Sequence, residues 1–461
     1  MKKTLCLLAS VAALALGSSA LAAPKPDAHA EALEILTRSI AVRTVQPGDQ
    51  VMPLAGYLKS VLVANGFRPD EVEITPVAGS GVLIARYPGK NKSLKPIVML
   101  GHMDVVEARR EDWVRDPFVP VVENGYVFGR GAEDNKFDVS MMVATLARLR
   151  REGWVPGREI ILALSGDEET VMATTRYLAD RLKGAELVLN GDAGGGTLAE
   201  DGKPVLYALQ AAEKTYADFL ITVTDPGGHS SRPGATTAIY RMGDILGRLH
   251  AHQFPAKQSE LTAAYFRASA AKTSGPIGAA MTAFVANPKD EAAIALLSAE
   301  PEYVGQVRTT CVTTMMTGGH APNALPQKAT ATVNCRIFPG TPSEEVRKTL
   351  ETVMADPQAT IVRNDDGSVD SPASPLRSDV TAAVTRSIHK LYPGLAIVPS
   401  MSAGATDSMW FRAAGVPSYG VAGLFSKPSD SFAHGLNERV PVAAIDGALA
   451  HWDSLLHELA K

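Results

Sequence analysis

Apolar residues recur at helical spacing near the start of the chain. Leu33, Leu36 and Ile40 share one face between Ala28 and Ile40, and Leu54, Leu58, Val61 and Leu62 are in register in a second run ending near Asn65. Pro47 and Gly48 separate the two predicted helices. Beyond them, short apolar runs alternate with helical patterns. Val82 to Tyr87, Pro96 to Leu100, Glu159 to Ser165 and Leu187 to Leu189 read as strands, and Phe137 to Glu152 and Thr174 to Leu182 as helices. Several of these strands are apolar without a break, which requires a sheet covered on both faces and hence an α/β architecture.

The pattern changes near Leu209. Tyr216 to Thr224, Arg308 to Met316 and Ala329 to Phe338 alternate as half-exposed strands do. With helices at Thr237 to His250 and Ser343 to Met354 and a strand at Ala359 to Val362, they spell β-α-β-β-α-β, a small domain with an open antiparallel sheet. Pro255 to Pro301 reads as helices inserted in it. The α/β pattern resumes after Ser371, with a helix at Asp379 to Leu391, strands near Ile397 and at Pro417 to Val421, and a final helix from Val442. The expected organisation is therefore a leader at 1–23, a first domain at 24–209, an insertion at 210–370 and the return of the first domain at 371–461.

The leader reads as a secretion signal. Lys2 and Lys3 precede an apolar run from Leu5 to Leu16, and Ala20-Leu21-Ala22 is a small-residue cleavage site. The run is short for a membrane helix, and Cys6 lies near its start, which argues against a lipid anchor. Export is expected, and the Lys-Lys-Thr start suggests a bacterial periplasm, with no membrane association once the leader is cleaved. The net charge of -4 over 461 residues, with no basic stripe, gives no reason to expect a nucleic-acid partner. Cys311 and Cys335 are too few for a disulfide scaffold or, alone, a zinc site, but could pair in an oxidising compartment.

Chemistry gathers where the apolar strands end. Gly101-His102-Met103-Asp104 follows one, Asp167-Glu168-Glu169 a second and Asp192 a third. Ligands of parallel α/β sheets collect at such carboxyl ends. Asp134, in Gly129-Arg130-Gly131-Ala132-Glu133-Asp134, and His434, in Ser431-Phe432-Ala433-His434-Gly435, add two more candidates. Taken singly these are ordinary features: a polar histidine after a strand, or a solvated acidic turn capping a helix. Together, imidazole and carboxylate donors at three strand ends suit zinc, and a carboxylate between two metals suits a dinuclear site. No Gly-x-Ser-x-Gly elbow supports a serine hydrolase.

Gly101-His102-Met103-Asp104-Val105-Val106, Trp113, Asp116-Pro117-Phe118 and Gly125 to Lys136 together resemble the di-zinc exopeptidase and deacylase family of carboxypeptidase S, aminoacylase, glutamate carboxypeptidase and acetylornithine or succinyl-diaminopimelate deacylases. Arg308-Thr309-Thr310, Asn323-Ala324-Leu325-Pro326, Thr332 to Gly340 and His434 to Arg439 are most similar to the carboxypeptidase S and N-acyl amino acid hydrolase branch. The resemblance implies a phosphorylase/hydrolase-like zinc exopeptidase domain with an inserted ferredoxin-like α+β lid. It implies one Zn2+ on His102 and Asp192, a second on Glu169 and His434, and Asp134 bridging them, with Co2+ or Mn2+ as alternatives. Glu168 would be the general base toward a metal-bridged water, Asp104 would orient His102, and the Asp134–Asn135 peptide would be cis. On the lid, His229 in Gly227-Gly228-His229-Ser230-Ser231 would stabilise the oxyanion in a neighbouring subunit, so a homodimer through the lid is expected. Asn323, Arg336 and Gly404, the last in Gly404-Ala405-Thr406-Asp407-Ser408, would hold the substrate. The implied substrate is a small peptide or an N-acyl amino acid, cleaved at an amide next to a free carboxylate. A dipeptidase and a catalytically inactive binding module are the alternatives. Ala193 and Asn135 stand where the family usually has acidic residues; neither change removes a ligand, though Ala193 alters the charge beside Asp192.

Overall fold

The three unbroken apolar runs are neighbours in space. In a computed structural model that describes residues 27–364 and 367–461, Ile160–Ser165, Ile97–His102, Leu187–Asn190 and Ser418–Gly420 are successive parallel strands at the centre of a ten-stranded sheet. The expected leader at 1–23 lies outside the described residues. Both faces of these strands are buried. Met99, Leu162 and Leu189 join one core with helices Ala28–Ile40, Val51–Ala64, Lys136–Arg151 and Ala444–Leu459. Val98, Leu100, Ile161 and Val188 join another, with Leu178 of helix Ala173–Leu182 and Phe411 of Ser408–Ala413. That division explains the absence of alternation. Lys136–Arg151 is buried on nearly all sides because it lies between the sheet and three other helices, Ala28–Ile40, Val51–Ala64 and Ala444–Leu459.

Antiparallel strands finish the sheet: Val72–Val77 and Ser80–Tyr87 at one edge, Pro204–Glu213 with Gly195–Leu198 toward the other. Pro204–Glu213 stays in this sheet to its end, also pairing in parallel with Ile397–Ser402, and only Lys214 separates it from Thr215–Thr224 of the second sheet. That second sheet is antiparallel, in the spatial order Thr310–Gly318, Lys328–Ile337, Thr215–Thr224, Thr360–Arg363. Helices Ala238–Ala251 and Ser343–Met354 cover one face of it around Phe219, Met242, Val333 and Leu350, giving the ferredoxin-like lid. Its alternating burial follows from being covered on one face only. Cys311 and Cys335 stand directly opposite each other on adjacent lid strands and form a disulfide. The segment read as inserted helices forms four, Glu260–Ala270, Gly275–Ala286, Glu291–Ala299 and Pro301–Val307, with a small core of Phe266, Met281, Phe284 and Leu297. Among the described residues no helix is long and apolar enough to cross a membrane.

Candidate metal centre

His102 is the last residue of its strand and is 1% exposed. Its Nδ1 lies 3.0 Å from the Asp104 carbonyl oxygen, which fixes the ring and turns Nε2 toward Asp134 Oδ1, at 2.9 Å, and Asp192 Oδ1, at 3.4 Å. The other oxygen of Asp134 lies 3.2 Å from His434 Nε2, which also meets Glu169 Oε1 at 3.0 Å. One carboxylate thus presents one oxygen to each of two donor groups, His102 with Asp192 and His434 with Glu169. Glu168 is buried beside them, its carboxylate within 4.8 Å of donor atoms of His102 and Glu169. A cavity of about 170 Å³ opens at Asp134, Asp192, Ala193 and Ala433.

Local structure explains how residues so far apart in sequence converge. The Asp104 carboxylate is fully buried and accepts from the backbone N–H of Glu168, at 3.1 Å, and of Glu169, at 3.0 Å. It therefore anchors the acidic turn, and contact with the His102 ring is made by its carbonyl; the carboxylate lies 3.7 Å from Nδ1. Asn135 donates to the Gly191 carbonyl at 3.1 Å and so ties the Asp134 loop to the strand end that carries Asp192. The Asp134–Asn135 peptide is cis. Glu438, also fully buried, accepts from the N–H groups of Gly131, Glu133 and Asp134 and pairs with the Arg130 guanidinium at 2.6 Å. Arg130 reaches on to the carbonyls of His434 and Gly435. His434 sits at φ +61°, a left-handed conformation that a non-glycine residue adopts where its surroundings impose it.

The imidazoles and carboxylates of the cluster shift one another's proton affinities. The ionic partners of the cluster's carboxylates are the two imidazoles. Hydrogen bonds to the Asp134 and Glu169 carboxylates push the His434 pKa up to about 10. Burial works against protonation of His102, yet Asp192, Asp104 and Asp134 hold it well above its ordinary value. Asp134 is drawn down by both rings against its burial. Burial lifts Asp192 to about 8 and Glu168 well above the usual carboxylate range; Asp407, Asp192 and Glu169 add to the rise at Glu168 while His102 opposes it. Mixed N and O donors around one shared carboxylate fit two divalent ions.

The remaining sequence candidates fall in two places. Arg336 extends from the lid to the large domain: its guanidinium donates to the Ala403 carbonyl at 3.0 Å, next to the exposed Gly404, and lies over the Tyr216 ring at 4.7 Å. His229 and Asn323 sit together on a two-stranded lid ribbon, where Ser230 N–H donates to the Asn323 carbonyl. Both are exposed, and neither is among the converging donors. Three groups near the site were not singled out from the sequence. Asp407 is buried behind Glu168 and accepts from the hydroxyls of Ser165 and Thr175. Glu213 and Arg412 form a buried ion pair at 2.8 Å, and Glu213 also accepts from Thr406. These partners lie 193 to 242 residues apart in the chain, so composition and spacing carry no sign of them.

Comparison with known proteins agrees with this geometry. The profile of peptidase family M20/M25/M40 matches residues 98–458. The N-fatty-acyl-amino acid synthase/hydrolase PM20D1 of Mus musculus is 29% identical over 374 residues, 77% of this chain and 72% of that protein. Probable carboxypeptidase S-like 2 of Dictyostelium discoideum is 25% identical over 71% of this chain and 64% of its own length. Among solved structures, the M20 family metallo-carboxypeptidase Sso-CP2 of Sulfolobus solfataricus superposes with a TM-score of 0.72 at 18% identity, covering 93% of this chain and 99% of that one. The Bacillus subtilis YXEP protein, described as a dinuclear metal binding peptidase, superposes with a TM-score of 0.60 at 13% identity, covering 94% and 98%.

Proposed function

The chain belongs to peptidase family M20/M25/M40, and from that premise we propose that this metallopeptidase and amidohydrolase uses two zinc ions to cleave an amide bond next to a free carboxylate, as a carboxypeptidase or an N-acyl amino acid hydrolase. The observation that carries the reading is Asp134, whose two oxygens face two separate imidazole–carboxylate pairs. His102 and Asp192 would hold one ion, Glu169 and His434 the other, and Asp134 both. The ions would polarise the scissile carbonyl and acidify water. Glu168 takes a proton from the attacking water and passes it to the departing amine nitrogen. Its carboxylate, buried within 4.8 Å of donor atoms of His102 and Glu169, is within reach of a water held at that centre. Zinc fits the mixed donor set; Co2+ or Mn2+ are the alternatives.

Arg336, beside Gly404 where the lid meets the large domain, would receive the substrate's carboxylate, which a guanidinium binds as a fork. A panel of dipeptides and N-acyl amino acids, each paired with its C-terminal amide, tests this with purified zinc-loaded protein. The free acids should be cleaved in preference. Arg336→Ala should cut kcat/KM by roughly 10–100-fold on the acids and much less on the amides, the loss expected for one charge-assisted hydrogen bond. An equal loss on both would leave Arg336 a structural residue.

Two wider features complete the proposal. The basic and apolar leader, supported by the Cys311–Cys335 disulfide, points to export into an oxidising compartment such as a periplasm. The lid's outer strand, Thr310–Gly318, exposes Val312, Met315 and Met316, and its outer edge pairs with no strand among the described residues, which suits pairing with a second copy. In such a dimer His229 would serve the neighbouring subunit's site, and Asn323, beside it on the same ribbon, would hold the substrate.

A further inference from the structure

The lid contains a second cavity, of about 360 Å³, larger than the opening at the metal centre. It lies on the helix-covered face of the lid sheet, whereas Arg336 projects from the other face by strand alternation. The apolar part of its wall is formed by Leu246 and Leu249 from helix Ala238–Ala251, Leu350 from helix Ser343–Met354, Val333 from the sheet, with Phe254 and Val304. The exposed Gln253, Val312 and Thr313 are at its mouth.

Polar groups line part of this apolar space. Arg308 is 8% exposed. One terminal nitrogen donates to Gln253 Oε1 at 2.7 Å, but its Nε–H has no partner among the described residues. His252 Nε2 and Ser298 Oγ also line the cavity, buried and without a partner among the described residues. Buried polar atoms are nearly always paired, so three orphans around one cavity are unusual. They comprise a cation's N–H, a hydroxyl and an imidazole nitrogen, the equipment for an anion. Burial also lowers the Arg308 pKa, and an anionic neighbour would relieve that cost.

We propose that this cavity is a second ligand site, which binds an amphipathic carboxylate. The carboxylate would sit on Arg308, Ser298 and His252, and its alkyl or aryl body among Leu246, Leu249, Val333 and Leu350. A single guanidinium matches a singly charged head group, and Nε with a terminal nitrogen forms one side of the fork that binds carboxylate through two parallel bonds. The volume is within the range of small-molecule pockets, and the division of the lining into apolar and polar parts suits a ligand with an apolar body and a polar head. This assignment is independent of the reading of the metal centre.

Octanoate is a suitable probe, with octan-1-ol as its uncharged match, titrated calorimetrically into the metal-loaded protein. Wild type should show saturable binding of octanoate and weaker binding of the alcohol. Arg308→Met should weaken octanoate by roughly tenfold or more, the loss of a charge-assisted bond. Leu246→Trp, which fills the cavity and leaves Arg308 in place, should remove that binding. Arg336→Ala should leave it intact, because any carboxylate bound at the catalytic cleft would answer to Arg336. Melting curves report whether each variant is folded, and either lid variant alone decides the matter. Absence of saturable binding in wild type, binding unchanged in a folded Arg308→Met or Leu246→Trp, or binding that disappears with Arg336 would overturn the assignment.

Discussion

Glu168 and Glu169 are adjacent in the chain, and the backbone N–H groups of both are held by Asp104, yet their side chains differ in use. Glu169 meets His434 on the cation side; Glu168 is buried, with its proton affinity raised. Glu168→Gln should therefore retain both metal ions while turnover falls by about 10²–10⁴-fold, the usual worth of a general base. Elemental analysis and initial rates on the same preparation check it, and near-normal turnover would refute the assignment. At this scale the converging groups were legible, because His102, Glu168, Glu169 and Asp192 each follow a strand whose unbroken apolar run shows in the sequence. Asp407 was not: it lies two residues beyond Ala405 in a loop noted only for Gly404, and the hydroxyls it accepts from belong to distant Ser165 and Thr175.

Two loops, not strands, deliver Asp134 and His434, and a short sheet clamps them. Val121–Glu123, Tyr126–Phe128 and Arg439–Pro441 pair antiparallel, which brings the chain after His434 beside the chain before Asp134. Strands of three residues are too short for periodicity to mark. Within the clamp, Glu438 serves three backbone N–H groups and Arg130 at once. Removing one member of a buried ion pair strands the other, at a cost of about 3–5 kcal/mol. Glu438→Ala should lose stability on that order in chemical denaturation. It should also weaken metal binding, since the Asp134 loop is released, even though Glu438 touches neither imidazole. Unchanged metal affinity in a destabilised protein would confine Glu438 to the fold. The helices and strands that were read lie within a few residues of their observed bounds, because amphipathic or fully apolar runs fixed them, and Ala28–Ile40 and Ser343–Met354 match; Val72–Val77 and Pro204–Glu213, of mixed polarity, were not read as strands.

The molecule as a whole joins a double-faced α/β sheet to a lid covered on one face, and the sequence carries that contrast as unbroken against alternating apolar runs. The sequence alone did not reveal what lies behind the large sheet, including His451, which is fully buried between Ser387, Tyr207 and the Val421 carbonyl. Burial lowers its pKa from 6.5 to about 4. A ring that resists protonation only when folded contributes stability that is complete above about pH 6.5 and is lost as pH falls through about 4, up to about 3 kcal/mol. Urea midpoints should fall between pH 7 and 4.5, and fall less in His451→Gln; equal falls would remove His451 as a cause. The central claim, two ions acting together across Asp134, is tested most directly by titrating Zn2+ into chelator-stripped protein while following hydrolysis of an N-acyl amino acid. Activity should be absent at the start and saturate at two ions per chain by elemental analysis. Full activity in the stripped protein, or saturation with a single ion bound, would contradict the account.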